Sequence, residues 1–219
     1  MHIVDGVLSA PVLIASSSLA LAGVVQGLRS LDADAIPRAG LLSAVFFVAS
    51  LVHVPVGPAS AHLMLTGLMG LLLGWAAFPA ILIGLLLQAV FFGFGGLTVL
   101  GANTLNLALP AVAIGLAMRA LLARRRASPH PRGWLLAGAL AGAGAFGGSA
   151  LMVAGSLALS GAAFVVAANL ILIAQLPVLL VEAAVTAAAL RLLLTVRPEL
   201  LPIRDTETLA RLDERPQEI

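Results

Sequence analysis

Met1 and His2 are the two residues of the sequence whose types and spacing most clearly suggest chemistry. A histidine directly after a free α-amine offers three nitrogens to one ion: the amine of Met1, the deprotonated backbone nitrogen of His2 and the His2 imidazole. This planar, nitrogen-only set suits square-planar or tetragonal ions, chiefly Cu(II), Ni(II) and low-spin Co(II). It leaves one position in the plane for a further ligand. Because a chain can begin Met-His by chance, the pair needs support from other residues.

Three further histidines could supply that ligand. His130 lies beside an arginine-rich link, which is typical of a solvated loop residue. His53 and His62 bracket a link with two prolines and one glycine, for which we expect a rigid, irregular path without charge. Two histidines in one loop favour ligation, although a hydrogen-bonded structural role is the alternative for each.

Several polar residues could support such a site from nearby loops. Asp5 could hold the second nitrogen of the His2 imidazole, or it could cap the first helix. Asn103 and Asn106 follow a glycine-rich stretch that begins at Phe91, where neutral amides could order a capping loop or satisfy freed backbone groups of a re-entrant loop. Ser60, in the link between the two histidines, is a further loop candidate.

The composition places these residues in a membrane protein. Of the 219 residues, 61% are hydrophobic and only 10% are charged, whereas a soluble domain carries about 25% charge. The bilayer must therefore be the solvent. With no cysteine there is no thiolate site or disulfide. The net charge of +2 gives no indication of nucleic-acid binding, and no Walker A sequence is present.

Seven hydrophobic segments position the candidate residues. They span residues 7–28, 39–52, 60–75, 78–95, 102–122, 133–159 and 164–196, and Pro177 is expected to break the last one. Arginines occur in or close to alternate links, and the links between them contain none, so the positive-inside rule predicts an outside N-terminus and a cytoplasmic C-terminus. This topology brings His2, His53 and His62 to the outer face. Six spans, with the first segment lying differently, are the alternative.

The chain divides into a transmembrane bundle over residues 1–196 and a mixed-charge cytoplasmic tail over residues 197–219. The first six residues contain no basic residue, so we expect no signal-peptide cleavage. Met1 is also expected to stay, because its removal usually requires a small second residue. Glycine pairs such as Gly138 and Gly142 allow close helix approach, either within the bundle or, less favoured, against a partner.

Four stretches of the chain resemble the CbiM/NikM family, the substrate-capture components of energy-coupling-factor cobalt and nickel importers. They are MHIVDGVLS (1–9), HVPVGPASAHL (53–63), LLLGWAAFPAILIGLLLQA (71–89) and GGLTVLGANTLN (95–106). The resemblance extends through Pro202 and is closest to the cobalt members. Two departures are Val4, where proline is common, and Gln175, where a histidine is common.

The resemblance implies a seven-helix, all-α bundle in the bacterial cytoplasmic (inner) membrane, with metal capture by Met1, His2 and His62. It also implies a CbiQ-like coupling subunit, a CbiO-like ATPase dimer and in some systems a small CbiN-like protein. The transported Co²⁺ or Ni²⁺ would be substrate, with no permanent cofactor, and cobalt would feed cobalamin biosynthesis. The chain itself would not be an enzyme.

Two other functional classes are less favoured by the residues. An autonomous channel or secondary carrier is expected to have a relay of intramembrane charges, and Glu182 alone in the last segment is a poor relay. A membrane metalloenzyme would need an open metal position and a general base, and no candidate base stands out.

Overall fold

The computed structural model describes residues 2–56, 59–124 and 131–201, which form helices and one small sheet. Met1 and residues 57–58, 125–130 and 202–219, which include His130 and nearly all of the tail, lie outside the described residues. The elements are α1 (Ala10–Arg29), α2 (Ile36–Ala49), β1 (His53–Val56), β2 (Ala59–His62), α3 (Thr66–Leu73), α4 (Ala77–Phe92), α5 (Leu100–Arg124), α6 (Pro131–Ser160), α7 (Val165–Ala174) and α8 (Leu176–Val196).

The helices have the length and surface of membrane-spanning elements. Within the described ranges, 5 stretches are long and apolar enough to cross a bilayer: Ala10–Arg29, Thr66–Phe92, Leu100–Ala123, Gly133–Ser160 and Leu176–Val196. Large apolar side chains on the outside of the bundle are widely exposed, with Ile14 at 67%, Val166 at 69% and Leu180 at 69%. Lipid is the solvent that suits such a surface. The predicted helical class is confirmed, while the count of seven spans stays a prediction.

The last hydrophobic segment is divided where its proline predicted. Helix α7 ends at Ala174, α8 starts at Leu176, and Pro177 occupies the first turn of α8. Proline has no N–H to donate within a helix but is tolerated in a first turn, where the N–H groups have no intrahelical partner. Two helices therefore replace one overlong span.

The link between the two histidines is more regular than predicted. Strands β1 and β2 form an antiparallel hairpin in which His53 pairs with His62 and Pro55 with Ser60. The expectation of an irregular path was wrong, because the two halves of the link pair with each other and thereby satisfy their backbone N–H and C=O groups. Proline is tolerated there because each strand of a two-stranded ribbon is an edge strand.

Glycines let the helices pack inside the bundle. A Cβ atom at Gly142 of α6 would lie 2.5 Å from the Glu182 carbonyl oxygen of α8, and one at Gly138 would lie 2.8 Å from the Ala187 Cα. A Cβ atom at Gly70 of α3 would similarly clash with Ala111 of α5. These contacts confirm the internal-packing interpretation of the small residues.

Candidate metal centre

The N-terminal segment is tied to the start of α5. Ile3 is buried, and its backbone makes two hydrogen bonds with one side chain. The Ile3 N–H donates to Asn103 Oδ1 at 3.0 Å, and Asn103 Nδ2 donates to the Ile3 carbonyl at 3.0 Å. Asn103 therefore fixes the backbone next to His2 without adding a charge.

The His2 ring lies between two other rings. Its centroid is 5.6 Å from that of His62, at an interplanar angle of 51°, and it stacks on Phe94 at 6.0 Å and 13°. Both ring nitrogens of His2 are buried and have no hydrogen-bond partner within the part of the chain that is described. Leaving a buried polar atom unsatisfied costs about 1–3 kcal/mol. The position therefore favours a bound species that accepts the nitrogen lone pair.

The protonation state of His2 also suits a ligand role. Burial lowers the pKa of the His2 imidazole well below its ordinary value, and the electrostatic effect of His62 acts in the same direction. The ring is therefore neutral near neutral pH. A neutral imidazole is the form that binds metal ions.

A backbone carbonyl at the end of α2 orients the imidazole of His62. His62 is the last residue of β2 and is 6% exposed, and its Nδ1 lies 2.7 Å from the Ser50 carbonyl oxygen. Because a carbonyl only accepts, Nδ1 must carry the proton, and Nε2 then carries the lone pair. Holding the distal N–H of a histidine in this way is the usual arrangement around a metal ligand.

The two imidazoles are close enough for a small movement to bring both onto one ion. With nitrogen–metal bonds of about 2.0 Å, the centroids of two rings on one ion would be about 4.5 Å apart in adjacent positions and about 6.3 Å apart in opposite ones. The observed 5.6 Å lies between these values, so an ion that holds both rings in adjacent positions would draw the two centroids about 1 Å closer together. Among the described residues no group of three His, Cys, Asp or Glu side chains could hold a metal. A further ligand would come from a group outside the described side chains, such as the amine of Met1.

Asp5 has a different role from the two predicted. Its carboxylate oxygen Oδ1 accepts hydrogen bonds from the N–H groups of Thr98 at 3.2 Å and Val99 at 3.3 Å, and from the Thr98 hydroxyl. Within the described residues neither ring nitrogen of His2 has a hydrogen-bond partner, and α1 begins without a side-chain cap. Both predictions for Asp5 were wrong, because its carboxylate reaches free N–H groups that precede α5. It thereby fastens the N-terminal segment a second time.

A glycine turn before α5 makes room for this segment. Gly95 and Gly96 have φ angles of +80° and +149°. A Cβ atom at Gly95 would lie 3.6 Å from the His2 Cβ, and one at Gly96 would lie 2.1 Å from the Asp5 Cγ. The predicted break in helical structure is confirmed for this turn, but α5 already starts at Leu100.

The remaining sequence candidates have separate positions. His53 and Ser60 are described only by their backbones in the hairpin, and their side chains lie outside the described residues. Asn106 is fully buried in α5, where its Oδ1 accepts a hydrogen bond from the Ser156 hydroxyl at 3.2 Å and its Nδ2 has no partner in the described ranges. This hydrogen bond joins Asn106 to α6, and its candidacy for the metal site stays a prediction.

Three residues at the site were not predicted. Phe94 contacts both imidazoles, with a centroid 5.1 Å from His62. Its place in the glycine-rich stretch was a weak signal. Ser50 acts through its carbonyl, which no residue type reveals. Glu182 binds the backbone just after His62, and its isolation as an acid in an apolar segment was the available signal.

The comparison with known families decides which family the chain belongs to. The family model of CbiM, the cobalt uptake substrate-specific transmembrane region, matches residues 2–200. The chain belongs to the CbiM family. The resemblance predicted from its sequence stretches is confirmed.

Relatives of the CbiM family chain support the same class. A protein of Haemophilus influenzae that is provisionally assigned to metal transport is 41% identical over 92% of this chain and 97% of its own length. The cobalt transport protein CbiM of Sorangium cellulosum is 33% identical, covering 92% of this chain and 94% of its own. The crystal structure of a truncated transition metal transporter superposes with a TM-score of 0.73 at 26% identity, covering 89% of this chain and 98% of that one.

Fused relatives join this kind of chain to other membrane components. The fused nickel transport protein NikMN of Rhodobacter capsulatus is 37% identical over 66% of this chain and 43% of its own length. A protein of Methanocorpusculum labreanum, provisionally a fused cobalt transport protein CbiMQ, is 32% identical over 49% of this chain and 19% of its own. The chain is thus a multi-pass membrane component of metal transport of the CbiM/NikM type, in a family of transport components and not of enzymes.

Proposed function

We propose that this chain is the substrate-binding membrane component of an ATP-driven importer for Co(II), and that four nitrogens hold the ion. They are the Met1 amine, the deprotonated His2 amide, the His2 imidazole through Nδ1 and the His62 imidazole through Nε2. The first three form two fused chelate rings. His62 fills the remaining position in the plane, which suits a square-planar or tetragonal ion.

One observation carries this proposal: the two unpartnered, buried nitrogens of His2 lie on a ring 5.6 Å from that of His62. Burial of such a ring is unfavourable unless an ion or another partner compensates for its lost hydrogen bonds. The hydrogen bonds of Ile3, Asn103 and Asp5 attach the residues that follow His2 to the start of α5, which supports a fixed position for the His2 backbone. The proposed amine ligand is therefore attached to a well-positioned backbone.

Cobalt is proposed as the substrate, with cobalamin biosynthesis as its use, because the matching family model describes cobalt uptake. Nickel is the second candidate, since a nickel transport protein is among the relatives and planar nitrogen ligands accept both ions. Competitive uptake of labelled cobalt and nickel by cells with the whole transporter would separate them. Preferential uptake of nickel would assign the chain to nickel transport.

For the membrane topology we propose seven spans with the N-terminus outside. The contacts that support this topology lie at two opposite ends of the bundle. At one end, the Ser9 N–H donates to the Ser160 hydroxyl oxygen at 3.2 Å. At the other end, the last turns of α1 and α5 contact the turn between α3 and α4, and Arg119 Nε donates to the Leu71 carbonyl at 2.7 Å. Arg29 and Arg119 lie at this second end, which the positive-inside rule assigns to the cytoplasm.

The energy for transport is proposed to come from other chains. The fused relatives NikMN and CbiMQ support an N-type and a Q-type membrane partner. A CbiO-like ATPase dimer is proposed to act through the Q-type subunit. The membrane is proposed to be the bacterial cytoplasmic (inner) membrane, where a cytoplasmic ATPase has access to the transporter.

A histidine replacement tests the proposed ligand set. We expect His62→Ala to lower the affinity for Co(II) and Ni(II) by more than about 100-fold, since even the outer partners of metal ligands typically contribute 10–100-fold. His130→Ala, in a residue expected to be a loop histidine, is the matched control and should bind as the unmodified chain does. Unchanged binding by His62→Ala, measured by titration in detergent, would refute the ligand set.

A further inference from the structure

Glu182 in α8 is a buried acid that the proposed ligand set does not use. It is fully buried, at 0% exposure. Its Oε1 accepts hydrogen bonds from the N–H groups of Met64 and Leu65, and its Oε2 also lies 3.1 Å from the Leu65 nitrogen. An acid buried among helices is unfavourable unless it is hydrogen-bonded. Here both oxygens are directed at one short stretch of backbone.

That stretch has an unusual conformation. Leu65 precedes α3 with φ at +52° and ψ at 25°, the left-handed region, and among the described residues it is the one non-glycine residue with positive φ. This conformation is energetically unfavourable for leucine because its Cβ atom comes too close to the following carbonyl oxygen. The hydrogen bonds from two backbone N–H groups to the Glu182 carboxylate can compensate for this backbone strain.

The stretch follows His62 directly. On the side of α2, the Ser50 carbonyl accepts from His62 Nδ1, and the Val52 carbonyl accepts from the Leu63 N–H at 3.1 Å. On the opposite side Glu182 holds Met64 and Leu65. The residues from His62 to Leu65 are therefore fixed from two directions, by contacts that are far apart in sequence.

We propose that Glu182 is a positioning residue for metal binding, which holds the His62–Leu65 segment so that the His62 imidazole faces His2. This proposal rests on the proposed ligand set. The contact also links the His62–Leu65 segment to α8, whose backbone at Glu182 is close-packed against Gly142 of α6. A shift of α8 would thus displace the His62 loop.

Three variants of the full chain in detergent test the role of Glu182, with Ni(II) and Co(II) chloride as probes. Glu182→Leu removes both acceptors and should lower metal affinity about 10-fold or more, in the range of outer-shell changes. Glu182→Gln keeps one acceptor oxygen and should recover part of the loss. Thr186→Val, one turn along α8 at another fully buried position, is the matched control and should bind as the unmodified chain.

The visible absorption of bound Ni(II) separates positioning from general damage, because band positions depend on the donor atoms. We expect Glu182→Leu saturated with Ni(II) to show the spectrum of His62→Ala, with the terminal chelate kept and the fourth nitrogen lost. If Glu182→Leu does not fold, Glu182→Gln decides by the same spectrum and affinity. Unmodified affinity and spectrum in the variant that folds would overturn the role of Glu182. If instead His62→Ala binds normally, the proposed ligand set itself has failed.

Discussion

At the residue scale, the site is built from neutral groups while the nearby carboxylates are occupied elsewhere. Asp5 accepts from the turn before α5, and Glu182 accepts from the start of α3. The neutral His2 imidazole can bind an ion without first losing a proton. Protons must instead leave the amine and the amide, so the affinity of the site has a characteristic dependence on pH.

We expect the logarithm of the metal affinity to rise by about two for each pH unit below about pH 8, the ordinary pKa of an α-amine, and by about one above it. Below that value each bound ion displaces one proton from the amine and one from the amide. The lowered pKa of His2 keeps its imidazole from adding a third proton near neutrality. Competition for Ni(II) against a chelator of known pH dependence measures the slope. A flat profile above about pH 7 would indicate a site of imidazoles alone.

Asn103 is expected to matter for binding although it is not a ligand. Asn103→Leu removes both hydrogen bonds to Ile3 and leaves two buried backbone groups unsatisfied, at a cost of about 1–3 kcal/mol each. We expect metal affinity to fall about 10-fold or more as the N-terminal segment detaches. The matched control is Thr104→Val, at the next position of α5, where the fully buried hydroxyl donates to the Leu100 carbonyl at 2.8 Å within the helix. Equal affinities of the two variants would show that Asn103 does not position the segment.

At the scale of elements, the turn before α5 and the hairpin bring distant parts of the chain together at the N-terminal segment. The Thr98 turn lies 93 residues from its partner Asp5. The hairpin ends at His62, whose ring contacts both His2 and Phe94. The positions of His2 and His62 therefore depend on contacts between several elements and not on one local motif.

The turn before α5 permits a test with closely matched variants. Gly96→Ala would place a Cβ atom 2.1 Å from the Asp5 Cγ, whereas a Cβ atom at Gly93, also at positive φ, meets nothing within 4 Å. Both variants should lose about 1–3 kcal/mol of stability, because alanine is unfavourable at the positive φ angle of either glycine. Only Gly96→Ala should also lower metal affinity, because it displaces Asp5. Thermal unfolding and metal titration measure the two effects, and equal affinities would exclude a role for the turn.

Some of these elements could be predicted from sequence and others could not. Pro177 predicted the break between α7 and α8 because its chemistry acts locally. The role of Asp5 was mispredicted because a carboxylate near a helix start has local partners as plausible as Thr98. The contact between Glu182 and Leu65 joins residues 117 apart, and only the packing of α3 and α8 establishes it. His62 was identified by the family resemblance, since the residues alone left it open beside His53.

At the scale of the whole molecule, the proposed topology can be tested by labelling, because the chain contains no cysteine. We expect Leu97→Cys, at an exposed position near Asp5, to react with a membrane-impermeant maleimide in intact cells. Ser30→Cys, exposed beyond the end of α1, should react only after the cells are opened. Both positions lie outside the helices, so the variants should fold alike. The reverse labelling pattern would contradict the outside N-terminus.

The central claim is that the chain terminus itself binds the ion, and an insertion tests it most directly. Three alanines between Met1 and His2 separate the amine from the imidazole and break the fused chelate, whereas a single alanine would only create a longer chelate with two amides. The same three alanines after Ile219 form the control. Metal bound per purified chain should fall to background for the N-terminal insertion and stay unchanged for the control. Full metal binding by the chain with the N-terminal insertion would contradict the account.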